Sequence, residues 1–309
     1  MGRVSIVPGK KVDRPDSRVV RYLEAGALDG TPVVVFHPTP SSRLFVRQHA
    51  DAALRAGVRL IGASRPGSGN SSMTEPGLRV VAEDTVAVAD AAGIDAFAVL
   101  GFSGGTPFAA ATAALFPDRV RAVGLCAAVA PWQEVDDRGV EFDGELGRLV
   151  ELAGHDLPAA LGGLRARGER EYAAQLALDD KALAQHLIAD ATPPEAEFVT
   201  PALAMGQAIT LRDAFNQDDD DSGVYGPARY DSYAFDELAF GRPWDVSVSG
   251  VSAPTWVWQG SRDVVTPLDH ARWYAEQIPH ATLVVRDGLG HLGSFEAHRD
   301  EMLVTLRDA

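Results

Sequence analysis

Five residues, Gly101-Phe102-Ser103-Gly104-Gly105, constrain this chain more than any other stretch. The apolar run Phe97-Ala98-Val99-Leu100 precedes them, and an alanine-rich stretch from Pro107 to Leu115 follows. A G-x-S-x-G between a strand and a helix holds the serine on a sharp turn at positive φ. The backbone then passes close to itself, so the residues two before and two after must be small. The turn also lifts the hydroxyl clear of the chain, at the positive end of the following helix. With 30 glycines in the sequence, such a motif also arises by chance. Its weight therefore rests on the strands around it and on the partners found downstream.

Strand-like runs lie at 18–25, 31–37, 59–63, 97–101, 120–127, 255–260 and 282–286. They are rich in Val and Leu and mostly continuous, the pattern of parallel strands covered on both faces. Helix-like segments at 42–56, 78–92, 106–116, 267–277 and 294–307 separate them. This alternation predicts an α/β sheet with right-handed crossovers. The short link at 26–30 predicts that the first two runs form an antiparallel hairpin at the edge. Residues 131–250 break the rhythm, with helical patterns at 141–152, 158–178, 181–189 and 195–215 and an acidic tract from Asp218 to Asp221. The division that follows is a core from residues 1–130 and 251–309, interrupted by a helical cap at 131–250 over the sheet's C-terminal edge.

The net charge of −15 comes from that interruption alone. Within 131–250, 24 Asp and Glu oppose 9 Lys and Arg, whereas the remainder holds 19 of each. Such a balance argues against nucleic acid or an anionic membrane as partner. No run approaches the ~18 apolar residues of a membrane span, and the N-terminus lacks the apolar core of a signal peptide. The single cysteine, Cys126, fits a reducing compartment, so a cytoplasmic location is expected. It lies at the end of an apolar strand, where a buried, inert thiol is the expectation. The histidines show no metal-ligand spacing. No metal site is expected.

Serine attacks poorly at neutral pH unless a base takes its proton, and the base needs an orienting acid. In an open α/β sheet these groups belong just past the C-terminal ends of strands. Asp263 follows Thr255-Trp256-Val257-Trp258-Gln259 in the loop Gly260-Ser261-Arg262-Asp263. His291 follows Thr282-Leu283-Val284-Val285 in the loop Arg286-Asp287-Gly288-Leu289-Gly290-His291. The chain order Ser103, Asp263, His291 is that of a nucleophile-elbow triad. Asp287 lies too near His291 along the chain to serve as its acid. Acyl transfer also needs two preorganised N–H donors for the oxyanion. Gly104 supplies one, and in the loop His37-Pro38-Thr39-Pro40, where the prolines have no N–H, Thr39 supplies the other.

Taken together, these motifs resemble the α/β-hydrolase fold family, in its serine-nucleophile form with a helical cap. His37-Pro38-Thr39-Pro40 is similar to that family's oxyanion loop, with Pro38 where glycine is usual. The stretch Ser64-Arg65-Pro66-Gly67-Ser68-Gly69-Asn70-Ser71 is similar to a second family segment, with Ser64 where aspartate is usual. The resemblance implies a mostly parallel eight-stranded sheet, hydrolysis of a small carboxylic ester or related acyl compound through an acyl-enzyme, and no cofactor. It excludes relatives that use a carboxylate nucleophile, because position 103 is serine. An aminopeptidase resembling the proline iminopeptidases is the alternative, since the acidic cap suits a cationic substrate. A C–C bond hydrolase and a ligand receptor on the same fold are further alternatives. His37, Phe102 and Trp132 are the candidate substrate contacts, a small molecule is the expected partner, and the protein is expected to be a monomer or homodimer.

Overall fold

The computed structural model describes residues 5–135, 144–216 and 228–309. Eight strands form one sheet: β1 (Ser5–Asp13), β2 (Val19–Gly26), β3 (Thr31–Phe36), β4 (Val58–Ala63), β5 (Phe97–Phe102), β6 (Val120–Cys126), β7 (Thr255–Gly260) and β8 (Thr282–Arg286). Their order is β1-β2-β4-β3-β5-β6-β7-β8. β1 pairs antiparallel with β2 and β2 antiparallel with β4, while every pair from β4 to β8 is parallel. All six residues of β5 are buried, as a central strand covered on both faces requires.

This order corrects the expected edge hairpin. β2 does form one, but with β1, a strand that propensity alone did not mark. β3 lies inside the sheet between β4 and β5. The physical reason is its composition: Val33 to Phe36 are buried on both faces and need a neighbour on either side. β1 carries Lys10, Lys11 and Asp13 and suits an edge, where charge discourages further pairing.

Helices of the first half are α1 (Phe45–Gln48), α2 (Ala50–Ala56), α3 (Leu78–Ala91) and α4 (Thr106–Leu115). Between β6 and β7 come α5 (Gly144–Leu152), α6 (Leu157–Leu176), α7 (Asp180–Ala189), α8 (Pro201–Ala214) and α9 (Asp231–Gly241). The chain closes with α10 (Leu268–Gln277), α11 (His291–Glu296) and α12 (Arg299–Asp308). α4 is apolar almost all round and buried along most of its length, as befits a helix packed beside the central strands.

The helices differ from the sequence pattern in several places, and the expected segment at 42–56 is two helices, α1 and α2. The segment at 195–215 becomes helical only at Pro201, because Thr200 Oγ1 accepts the Leu203 N–H as an N-cap and proline suits the first turn. The segment at 294–307 is two helices, broken at 297–298. α9 lies beyond the helical patterns marked in the sequence and lacks any exposed residue, its three carboxylates included. The expected helix at 141–152 is seen from Gly144, and its start, like the acidic tract 218–221, lies outside the described residues.

Candidate active site

β5 ends at Phe102, and the chain turns through Ser103 at φ 52° into α4. A Cβ on Gly101 would stand 2.7 Å from Thr106 Cα, and one on Gly105 would press into the Phe36 carbonyl. The two glycines are therefore what allow strand, turn and helix to meet at this distance. Thr106 Oγ1 donates to the Ser103 carbonyl (2.8 Å) and accepts the Val129 N–H (2.9 Å), tying the turn to the loop after β6.

His291 opens α11, and its Nε2 lies 2.9 Å from Ser103 Oγ. Its Nδ1 lies 2.9 Å from Asp263 Oδ2. A carboxylate can only accept, so Nδ1 carries the proton and Nε2 is left to accept from the serine hydroxyl. Asp263 is itself fully satisfied. Oδ1 accepts the Val265 and Thr266 N–H groups, and Oδ2 accepts from Thr266 Oγ1 and Gln259 Nε2. Burial pushes this carboxyl toward its neutral form, but the His291 ring and the Thr266 donors outweigh it and hold the pKa below the usual carboxylate range. Gln259, wholly buried, also donates to the Thr266 carbonyl and accepts the Ala128 N–H. One side chain thus fixes the Asp263 loop against the end of β6.

The loop after β3 faces the turn. A Cβ on Gly104 would run into Thr39 Oγ1, so the Thr39 side chain occupies the space that any larger residue after Ser103 would need. The Thr39–Pro40 peptide bond is cis. Arg65 clamps this loop: Nη1 donates to the His37 carbonyl (2.6 Å), and Nη2 to the Pro38 carbonyl (3.2 Å) and Thr39 Oγ1 (2.9 Å). Asp236 of α9 receives Arg65 Nε and Nη2 as well as the Thr39 hydroxyl.

These groups border a cavity of about 430 Å³, within the range of small-molecule sites. Phe102, Val129, Trp132, Phe240 and Leu292 give it an apolar wall, and Arg167, Glu171 and Glu237 a charged one. The arrangement can activate an alcohol oxygen and stabilise negative charge beside it. Among the described residues, no cluster of three or more His, Cys, Asp or Glu is placed to hold a metal.

A family model for the alpha/beta hydrolase fold matches residues 31–298. The chain belongs to the α/β-hydrolase fold family. An α/β-hydrolase fold protein from Nakamurella multipartita is 26% identical, with a TM-score of 0.61 over 97% of this chain and 99% of that one. A bromoperoxidase from Bacillus anthracis has a TM-score of 0.66 at 17% identity, over 97% and 100% of the two chains. An esterase from a Rhodococcus species has a TM-score of 0.61 at 20% identity, over 98% and 99%. Among curated proteins, none matches this sequence.

Within this α/β-hydrolase, Phe102 and Trp132 lie on the cavity wall, whereas His37 does not. Its placement among the substrate contacts is corrected here. His37 is buried beneath the loop, where Nδ1 donates to the Pro38 carbonyl and Nε2 accepts the Arg65 N–H. Burial and the Arg65 charge lower its pKa well below the usual histidine value, so it stays neutral. Ser64 Oγ accepts the Arg43 N–H and takes no part in the cavity. Asp287 accepts from Ser261 Oγ at the surface. Cys126 is buried, and burial raises its thiol pKa well above the usual value.

Several participants had no signal in the sequence. Glu195, in the turn before α8, accepts the Gly293 N–H (3.0 Å) and so caps the helix that carries His291. His270 of α10 lines the cavity and accepts the Ala130 N–H on Nδ1. Asp236 acts through Thr39 over a separation that no local pattern records, whereas Gln259 acts on Asp263 from four residues away. A Gln four residues before an Asp at a strand end was the one available hint.

Proposed function

We propose that this protein is a serine hydrolase of small carboxylic esters or related acyl compounds. The observation that carries the reading is the unbroken chain of hydrogen bonds from Asp263 through His291 to Ser103 at the floor of the cavity. Ser103 Oγ attacks the substrate carbonyl while His291 Nε2 takes its proton, and ionised Asp263 stabilises the imidazolium. The N–H groups of Thr39 and Gly104 receive the oxyanion, the latter at the start of α4. His291 then protonates the departing alcohol, and water repeats the attack to release the acid. This route calls on no cofactor.

In this reading, residues 131–250 act as a cap whose α6, α8 and α9 form the roof of the substrate cavity. The esterase and lactonase names among the structural neighbours agree with acyl chemistry. Among the described residues no helix is long and apolar enough to cross a membrane, which agrees with a small-molecule substrate taken from water. A cytoplasmic setting remains part of the reading.

A second reading has one observation in its favour. Glu171 and Glu237 lie on the cavity wall, where they suit the free amine of an aminopeptidase substrate. Turnover of p-nitrophenyl esters beside proline arylamides, by wild type and Ser103→Ala, separates the two. The ester reading expects ester cleavage that the variant loses. It fails if only the arylamide is cleaved, or if the variant keeps full activity.

A further inference from the structure

The cavity at Ser103 has a neighbour. Pro38, Phe102, Tyr172, Gln207 and Leu292 belong at once to its wall and to that of a second cavity of about 240 Å³. The second cavity runs past the loop at 38–41 and along α8, and Phe45, Leu187, Leu203 and Leu211 close its sides. Leu203, Gln207, Thr210 and Leu211 recur at helical spacing, so one face of α8 forms its roof.

Charge is divided between the two spaces. Arg167, Glu171 and Glu237 all lie on the first cavity and none on the second, where Glu296 is the one carboxylate among the described lining residues. The far end is polar. Gln48 Nε2 donates to Thr210 Oγ1 at 3.2 Å, and both residues also border an outer groove of about 530 Å³. Gly206 makes room for Gln48, whose Oε1 is buried without a hydrogen-bond partner. Glu296 stands at the same end, held by Arg299 Nη1 at 2.5 Å.

We infer that the second cavity is an arm of the substrate site that takes an unbranched alkyl chain of the ester, with Gln48 and Thr210 setting its length limit. The inference rests on the ester-hydrolase reading. Each methylene that enters leaves water for a wall of Leu and Phe side chains. That burial favours the longer substrate by about fourfold per methylene. A chain that reaches Gln48 gains nothing further, because passing it means separating the Gln48 amide from Thr210 Oγ1. That amide then loses its side-chain partner, whereas Thr210 keeps its bonds to the Gly206 and Gln207 carbonyls. The charged wall of α6 and α9 then faces the remainder of the substrate.

Two substrate series tell which end of the ester carries the chain. One is p-nitrophenyl acetate, butyrate, hexanoate, octanoate and palmitate; the other is methyl, butyl, hexyl and octyl acetate. Wild type is expected to show kcat/KM rising with length in one series and, in the acyl series, falling again by palmitate. In Leu203→Trp, which fills the arm from α8, the preference for the long over the short ester should drop at least tenfold. If that variant does not fold, as judged by circular dichroism, Leu187→Phe fills the arm from α7 and is read the same way. No rise in either series, or a filled arm that keeps the wild-type preference, overturns the inference and leaves the hydrolase reading standing. Wild type inactive on every ester, or Ser103→Ala as active as wild type, removes both.

Discussion

Asp236 of α9 and Arg65, which follows β4, form a two-point ion pair at 2.8 and 2.5 Å, with side chains 3% and 2% exposed. The pair joins a helix from between β6 and β7 to the loop that carries Thr39, and the Thr39 hydroxyl closes a triangle with both partners. Arg65 also lies 4.9 Å over the Phe108 ring of α4. A charge so deeply buried is stable only while paired.

Asp236→Ala leaves that guanidinium unpaired and should destabilise the fold by about 3–5 kcal/mol, measured by denaturant unfolding. It should also lower kcat with little change in KM, because Thr39 loses its anchor. Asp236→Asn keeps an acceptor and should fall between. A stability loss with unchanged kcat would show that Thr39 holds its place without the pair.

Ser103→Ala and His291→Ala should each reduce ester turnover by about ten-thousandfold or more, with thermal unfolding unchanged or nearly so. The double variant should be scarcely worse than either, since the two groups act as one unit. Additive losses would mean that they act separately.

Gly104→Ala brings a methyl against Thr39 Oγ1 and must push the loop away from the elbow. A loss of about a hundred- to a thousandfold in kcat is expected if an oxyanion donor is displaced. Steady-state kinetics with one short ester checks this. A KM effect alone would place Thr39 and Gly104 in binding rather than in charge stabilisation.

Glu296 predicts a pH dependence of stability. Burial raises its pKa from 4.5 to about 7, against the opposing pull of Arg299. The folded state therefore holds this proton more tightly than the unfolded chain does. Its contribution is full below about pH 4.5, declines as pH rises to about 7, and is flat above. The decline is on the order of 3 kcal/mol at most. Glu296→Gln should lack this limb, so the difference in unfolding free energy between the two proteins should change across that window and nowhere else.

Most of the parallel sheet was legible because central strands announce themselves. Val33 to Phe36 and Phe97 to Phe102 are continuous apolar runs, and only strands covered on both faces tolerate that. The convergence of Ser103, Asp263 and His291 was legible for a related reason, as each lies in a glycine-bearing loop at a strand end. Neighbour relations were harder. β1 takes the place beside β2 that was expected of β3, because strand order depends on distant partners. Asp236 and Arg65 lie 171 residues apart, and nothing local marks either as half of a pair. α9 follows no pattern that the sequence displays locally, because Asp231 and Asp236 reach buried positions only by pairing with the distant Arg165 and Arg65. His37, a candidate substrate contact, is instead turned inward by its hydrogen bonds to the Pro38 carbonyl and the Arg65 N–H.

Glu195 on the α11 cap, Asp213 on Arg43 and Asp236 on Arg65 tie the segment between β6 and β7 to α11 and to the loops that follow β3 and β4. The helices between β6 and β7 are therefore not an interchangeable part. Grafting another relative's helices between β6 and β7 would strand two buried arginines and free the helix that carries His291. Any exchange of specificity by recombination has to carry those three carboxylates across the junction, or replace Arg43 and Arg65 along with them.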